Sequence, residues 1–317
     1  MQFLNNINLI RSRWYLWFKH KIDALRNIEI ARPLVKTICH FIASRERIEL
    51  ENSSKDIQIM LLIIGFPRSG SSLLGYLLTA HPNMVVADEA LHPKQDVRIY
   101  SSLDEIFNQI LEHDYNMRLR SHVWSKLKKS LFNVISTKHR IESYVLIHNQ
   151  YQGRCEHLKV IGNKGSHVSH VNVQNRSTNT LKILKKNLKE KNIVLKWIFT
   201  VRNPYDMYST MLRYHHPRNE LIEICVRNKE FLEQIDSQDI FYARHEDMIA
   251  NPRSQLAKIC DFLQVSASPS YLDDCAFVVD KEPHKSRFKH DWSKDKKQTI
   301  ESLIEKYDFF SGYGWDT

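Results

Sequence analysis

Three of the eight glycines, Gly65, Gly70 and Gly75, fall within eleven residues that begin inside the most apolar run of the chain, Ile59 to Phe66. The segment Leu62-Ile63-Ile64-Gly65-Phe66-Pro67-Arg68-Ser69-Gly70-Ser71-Ser72-Leu73-Leu74 reads as strand, tight loop and helix. That order aims free backbone N–H groups and the positive end of a helix dipole at an anion, so a phosphate or sulfate should sit there. Gly65 and Gly70 have the spacing of a Walker A loop, yet Ser71 stands where its lysine would follow Gly70, and the loop's cation is Arg68. This excludes an ordinary nucleoside-triphosphatase loop. A second segment, Trp197 to Thr210, again ends an apolar run with a cation, Arg202, and opens a helix with a proline, Pro204.

Together the two segments resemble the sulfotransferases that use 3′-phosphoadenosine 5′-phosphosulfate (PAPS). Pro67-Arg68-Ser69-Gly70-Ser71-Ser72 matches that family's 5′-phosphosulfate loop. The resemblance implies that Arg68 contacts the bridging oxygen and sulfonate. The N–H groups of Ser69, Gly70, Ser71 and Ser72 and the hydroxyls of Ser71 and Ser72 would hold the 5′-phosphate. Arg202 takes the place of the family's 3′-phosphate arginine. Its hydroxyl partner lies eight residues on, about 12 Å along a helix and on nearly the same face, which selects Thr210 with Ser209 as rival. Phe241-Tyr242-Ala243-Arg244-His245-Glu246-Asp247-Met248 resembles the family's strand-plus-helix element, with His245 where a tyrosine facing the adenine is usual. His245 is then either an adenine contact or a core histidine. His284 to Trp292 resembles the basic loop that closes over the nucleotide, where Arg287 and Lys285 would add charge to the 3′-phosphate, and Gly312-Tyr313-Gly314 resembles the terminal signature. The resemblance spans about 58–317, with 88–155 matched poorly.

Sulfuryl transfer to a hydroxyl or amine needs a clamp on the phosphosulfate, a base for the acceptor proton and a cation over the leaving oxygen. It needs no metal and no covalent intermediate. The resemblance supplies Arg68 and, from Ile161-Gly162-Asn163-Lys164-Gly165, Lys164 as cations. His81-Pro82 followed by Asp88-Glu89 resembles the tyrosylprotein branch, whose carry-over makes Glu89 the general base, although Ala87 and Asp88 depart from that branch's pattern. Histidine serves instead in many cytosolic members, which keeps His92, His148 and His167 open. The acceptor, recognised in the poorly matched region, is expected to be a small molecule or carbohydrate.

The elements that must position these groups follow from periodicity. Apolar runs at about 58–64, 83–87, 157–161, 193–201 and 239–243 read as buried strands. Helical spacing is clearest at about 70–80, 102–113, 177–190, 204–215, 219–235, 252–263 and 294–307, with Pro204 and Pro252 in first turns. Strands alternating with helices imply an α/β, P-loop-NTPase-like three-layer fold with a mostly parallel sheet flanked by helices. The stretch 115–150 carries no strand signal and reads as helical. The expected organisation is an N-terminal helical extension over 1–54 and one α/β domain over 55–317, with a helical insertion at about 100–150.

The 317 residues are 42% hydrophobic and 26% charged, with 8 Gly and 9 Pro, which excludes collagen-like, low-complexity and wholly disordered readings. No apolar run approaches the ~18 residues of a membrane span. The aromatic, basic segment 1–30 lacks the form of a secretory signal. It reads as a helix packed on the main domain or as a basic amphipathic helix touching a membrane surface. Five dispersed cysteines argue against a disulfide framework or a zinc site and for a reducing cytoplasm. The net charge of +10 suits a polyanionic ligand. Two other readings stand beside the sulfotransferase. A P-loop kinase-like phosphotransferase is disfavoured by Ser71 and by the lack of an evident carboxylate pair for Mg²⁺. A basic nucleic-acid or anionic-membrane binding protein would leave both phosphate segments unexplained. No nucleic-acid partner is expected, and oligomeric state is not readable.

Overall fold

The computed structural model describes residues 56–91, 102–132, 140–141, 144–145, 147, 149–155, 157–165, 177–217 and 219–317, all within the compact unit Arg47–Thr317. The expected extension over 1–54 and the candidate bases His92, His148 and His167 lie outside the described residues.

Five strands form one sheet: β1 (Ile59–Gly65), β2 (Met84–Asp88), β5 (Val160–Lys164), β6 (Val194–Val201) and β7 (Ile240–Arg244). Their order is β2-β5-β1-β6-β7 and every pairing is parallel. The apolar runs thus become the strands of a mostly buried parallel sheet, with side chains alternating between two layers. Met60, Leu62 and Ile64 enter one apolar layer, and Ile59, Leu61 and Ile63 enter the other.

The helices are α1 (Ser71–Thr79), α2 (Leu103–Phe132), α3 (Ser177–Glu190), α4 (Pro204–Arg213), α5 (Glu220–Leu232), α6 (His245–Ala250), α7 (Pro252–Phe262), α8 (Pro269–Val278) and α9 (Lys294–Lys306). Flanking the sheet, they complete the P-loop-like α/β arrangement expected from the alternation of patterns. Proline stands in the first turn of α4, α7 and α8, where a missing N–H costs nothing.

Two differences from the expectation have local causes. Among the described residues of the stretch 115–150, the helix runs to Phe132 and two short antiparallel strands lie beyond it, β3 (Arg140–Ile141) and β4 (Tyr144–Val145). Ile141, Tyr144 and Val145 are good strand formers, but two-residue strands are too short for a periodic signal. Helix α8 was not anticipated although its start is marked by Ser268, whose side chain accepts from Tyr271 N–H, and by Pro269. Among the described residues no helix is long and apolar enough to cross a membrane.

The sheet register brings chemistry to one edge. Gly65 lies opposite Thr200, Asp88 opposite Lys164 and Val201 opposite Arg244, so the carboxyl ends of all five strands open on the same side. In open α/β sheets that edge is where ligands bind.

Candidate active site

The loop after β1 is built around close approaches. At Gly65, with φ of 137°, a Cβ would stand 2.1 Å from the Thr200 carbonyl oxygen, so only glycine lets β1 run this near β6. The Ser69 hydroxyl oxygen is 2.6 Å from the Phe66 carbonyl and 2.7 Å from Thr200 Oγ1, and Ser69 N–H donates to Phe66 O at 3.4 Å. Ser69 therefore braces the loop on β6. Gly70 caps α1 in the left-handed region, φ 88°, with no side-chain cap. The Leu74 N–H donates to Gly70 O at 3.1 Å as the helix begins, so the N–H groups of Ser71, Ser72 and Leu73 point past its end. Ser71 is buried and Ser72 half-buried beside them. These open N–H groups form a cradle of the kind that can take an anion.

Arg202 follows β6 and faces the same loop. It is 7% exposed, donates through Nη1 to Arg68 O at 3.3 Å and through Nη2 to His284 O, and makes no ion pair among the described residues. Its Nε is buried without a hydrogen-bond partner. Burial is the main influence lowering its pKa, opposed by the Asp206 and Glu246 carboxylates, while Arg68 and Arg287 reinforce the lowering. A buried guanidinium held by carbonyls, with one N–H unmatched, is suited to an oxyanion.

Helix α4 starts at the next residues. Asn203 Oδ1 accepts from Tyr205 N–H at 3.0 Å, the Asn203 N–H donates to Glu246 Oε1 at 3.0 Å, and Nδ2 donates to Gly314 O at 2.9 Å. Glu246 Oε2 in turn accepts from the Tyr313 hydroxyl at 2.6 Å, and Arg244 stacks 4.0 Å over the Tyr313 ring. The two late motifs around Glu246 and Tyr313 thus fasten the start of α4. Further along the helix, Ser209 Oγ donates to Tyr205 O at 2.6 Å, whereas Thr210 Oγ1 lies 2.9 Å from Ser286 Oγ. Ser286 Oγ also lies 3.3 Å from Ser209 Oγ, so both hydroxyls meet the 280–290 loop, Ser209 while bound back to its own helix and Thr210 at the shorter distance.

His245 packs its ring against the anion cradle: a Cβ on Gly70 would stand 2.5 Å from its Nδ1. Burial first, then the charges of Arg202 and His284, hold its pKa down to about 3, so the imidazole is neutral at pH 7. Arg287 is 1% exposed. Its Nη1 pairs with Asp206 Oδ2 at 2.6 Å, its N–H donates to Asp206 Oδ1 at 2.8 Å, and Nη2 donates to Thr317 O. Its guanidinium clamps the loop to α4, leaving the buried Nε unmatched. Lys285 is exposed.

On the other side of the loop stands a carboxylate–ammonium cluster. Lys164, 4% exposed, lies 2.9 Å from Asp88 Oδ1 and donates to Glu89 Oε1 at 2.9 Å. Asp88 Oδ2 accepts from the Tyr76 hydroxyl at 2.7 Å. Glu89 sits in the left-handed region, φ 61°, with its N–H donating to Lys164 O at 2.8 Å. A Cβ on Gly75 of α1 would touch Lys164 Cβ at 3.9 Å, so the cluster adjoins the helix that carries the cradle.

The structure thus brings the loop, Arg202, Thr210, His245, Glu89 and Lys164 to one edge, and gives Ser69, Ser209, Thr210 and Arg287 internal partners. Sequence reading passed over Tyr76, Asp206, Tyr214 and Ser286. Asp206 and Ser286 meet across about 80 residues of chain, with nothing in local spacing to announce it. Tyr214 was within reach, four residues past Thr210 on the same helical face.

Open N–H groups at the start of α1 and a buried arginine on the carboxyl edge of a parallel sheet define a P-loop-like α/β protein with two positions suited to anions. The model of the sulfotransferase family matches residues 61–269, and the chain belongs to that family. Its activity is in general terms sulfuryl transfer. No curated protein sequence matches the chain. Among solved structures it is similar to the sulfotransferase domain of the Synechococcus PCC 7002 olefin synthase (17% identity, 78% of this chain and 88% of that one, TM-score 0.41). It is also similar to mouse sulfotransferase SULT7A1 complexed with PAP (14%, 79% and 83%, 0.41) and to sulfotransferase STF1 of Mycobacterium tuberculosis H37Rv (13%, 90% and 86%, 0.41).

Proposed function

We propose that this chain transfers the sulfuryl group of PAPS to a hydroxyl or amine of a small-molecule or carbohydrate acceptor. The observation that carries the reading is Arg202, a buried guanidinium with an unmatched Nε, on the same edge as the open N–H groups of α1. Two anion positions served by different segments suit a nucleotide phosphorylated at two places, and the residues present fit it. Arg202 and Thr210 would hold the 3′-phosphate, and the α1 N-terminus with the Ser71 and Ser72 hydroxyls would hold the 5′-phosphate. His245, neutral and packed on the cradle, would lie against the adenine.

PAPS supplies the activated sulfuryl group. Glu89 takes the proton of the acceptor as the new bond to sulfur forms and the bond from sulfur to the 5′-phosphate breaks, releasing 3′-phosphoadenosine 5′-phosphate (PAP). Arg68 and Lys164 offset the charge gathering on the bridging oxygen. Glu89 is the more exposed of the two carboxylates on Lys164, which suits it to meet an acceptor. The four described cysteines, Cys155, Cys225, Cys260 and Cys275, are free, in keeping with a cytoplasmic location.

The test is calorimetric titration with PAP, ADP and ATP–Mg²⁺ on wild type, Arg68→Ala and Arg202→Ala. Micromolar binding of PAP alone, weakened by both substitutions, is the expected result. Preference for ATP–Mg²⁺, or no nucleotide binding, would remove the reading.

A further inference from the structure

Arg68 is exposed, on a loop residue with φ of 66°, and makes no ion pair among the described residues. Its guanidinium carbon lies 4.3 Å from the centre of the Tyr214 ring. Tyr214 closes α4: its N–H donates to Thr210 O at 3.3 Å and to Met211 O at 3.0 Å, so the helix end fixes the backbone that bears the ring. Tyr214 is 57% exposed, with too little burial to serve as a core side chain. The Arg68 carbonyl meanwhile accepts from Arg202 Nη1. The loop arginine is thus held at its backbone by Arg202, two residues before α4, and at its guanidinium by Tyr214, the residue after it.

A long arginine at a loop mouth has many rotamers, and ordering it on ligand binding costs affinity. A ring face beneath the guanidinium restricts it beforehand and leaves its edge N–H groups pointing outward for an oxyanion. We infer that Tyr214 is the positioning residue for Arg68, holding its guanidinium by cation–π contact ready for the 5′ anion. This rests on the proposed function. It makes α4 the element that sets both anion positions, through Thr210 along its length and Tyr214 at its end.

The experiment is a double-mutant cycle in the full chain with PAP as the probe: wild type, Tyr214→Leu, Tyr214→Phe, Arg68→Ala and Arg68→Ala/Tyr214→Leu, each titrated calorimetrically. Thermal melts confirm that each variant folds. Tyr214→Leu should weaken PAP binding about two- to five-fold, the scale of an exposed cation–π contact, and Tyr214→Phe should restore it. In the Arg68→Ala background the leucine should cost nothing further. In wild-type and Tyr214→Phe proteins the Arg68 Nε–H resonance should show a ring-current shift that Tyr214→Leu abolishes. Wild-type affinity in Tyr214→Leu, Phe behaving as Leu, or an equal loss without Arg68 would overturn the inference alone. Failure of the wild type to bind PAP would overturn the proposed function as well, with the ring-current shift still present.

Discussion

Asp88 and Lys164 face each other in the register of β2 and β5, and the Lys164 ammonium lies 2.9 Å from Asp88 Oδ1 while reaching Glu89 Oε1 at the same distance. One buried cation therefore serves two carboxylates. Asp88 is also fixed by the Tyr76 hydroxyl, so it anchors the ammonium. Glu89, with a side chain 38% exposed against 16% for Asp88, is the more accessible of the two.

From that division of labour, Glu89→Gln should lower kcat by about 10²- to 10⁴-fold, the usual contribution of a general base, with PAP affinity unchanged. Initial rates and calorimetry check it together. Near-normal turnover would pass the role to a histidine.

Arg202→Met should weaken PAP binding roughly 10- to 100-fold, the worth of a charge-assisted hydrogen bond, without lowering the melting temperature of the ligand-free protein. Removing a buried cation that makes no ion pair among the described residues relieves a desolvation cost larger than the pull of Asp206 and Glu246. Unchanged PAP affinity would rule Arg202 out of the 3′-phosphate site.

Much of this site was legible because its signals are local. Gly65, Arg68 and Gly70 stand within six residues, and their loop conformation follows from glycine and the adjoining helix start. The five buried strands announced themselves as apolar runs. Pairings set by the tertiary fold were not legible. The partner of Arg287 is Asp206, chosen by how the 280–290 loop lands on α4, and Ser286 of that loop meets both Ser209 and Thr210. Likewise, the sequence offers Asp88 as a departure from a motif, whereas the β2–β5 register makes it the anchor of Lys164.

Stability should fall with acid through His245. Its pKa in the fold, about 3, is below the ordinary 6.5, so the unfolded chain binds the extra proton between those values. The contribution is full above pH 6.5 and is lost as pH falls toward 3, at up to about 1.4 kcal/mol per pH unit. His81, whose pKa burial also lowers, acts in the same direction. Urea unfolding at pH 7, 6 and 5 should show a shallower decline for His245→Asn than for wild type; parallel declines would refute it.

Gly70→Ala places a methyl group against the His245 ring and on a left-handed backbone. It should destabilise the fold and abolish PAP binding, while Gly70→Ala/His245→Ala recovers the part due to the clash and retains about 1–2 kcal/mol of backbone strain. Denaturation midpoints separate the two contributions. No recovery in the double variant would mean that His245 does not crowd the loop.

Asp206→Ala leaves Arg287 buried without its carboxylate and should cost about 3–5 kcal/mol. A midpoint shift in urea corresponding to less than about 1 kcal/mol would show that the pair is a minor tether.

The contacts of Arg202 with His284 O and of Asn203 with Gly314 O join segments 82 and 111 residues apart. During synthesis, a ribosome-bound chain that has already made β1 and α1 still lacks the backbone oxygens that orient these two residues. The site cannot be finished until the segment around Gly314 has left the exit tunnel, so nascent chains should acquire nucleotide binding abruptly, after most of the sheet has formed.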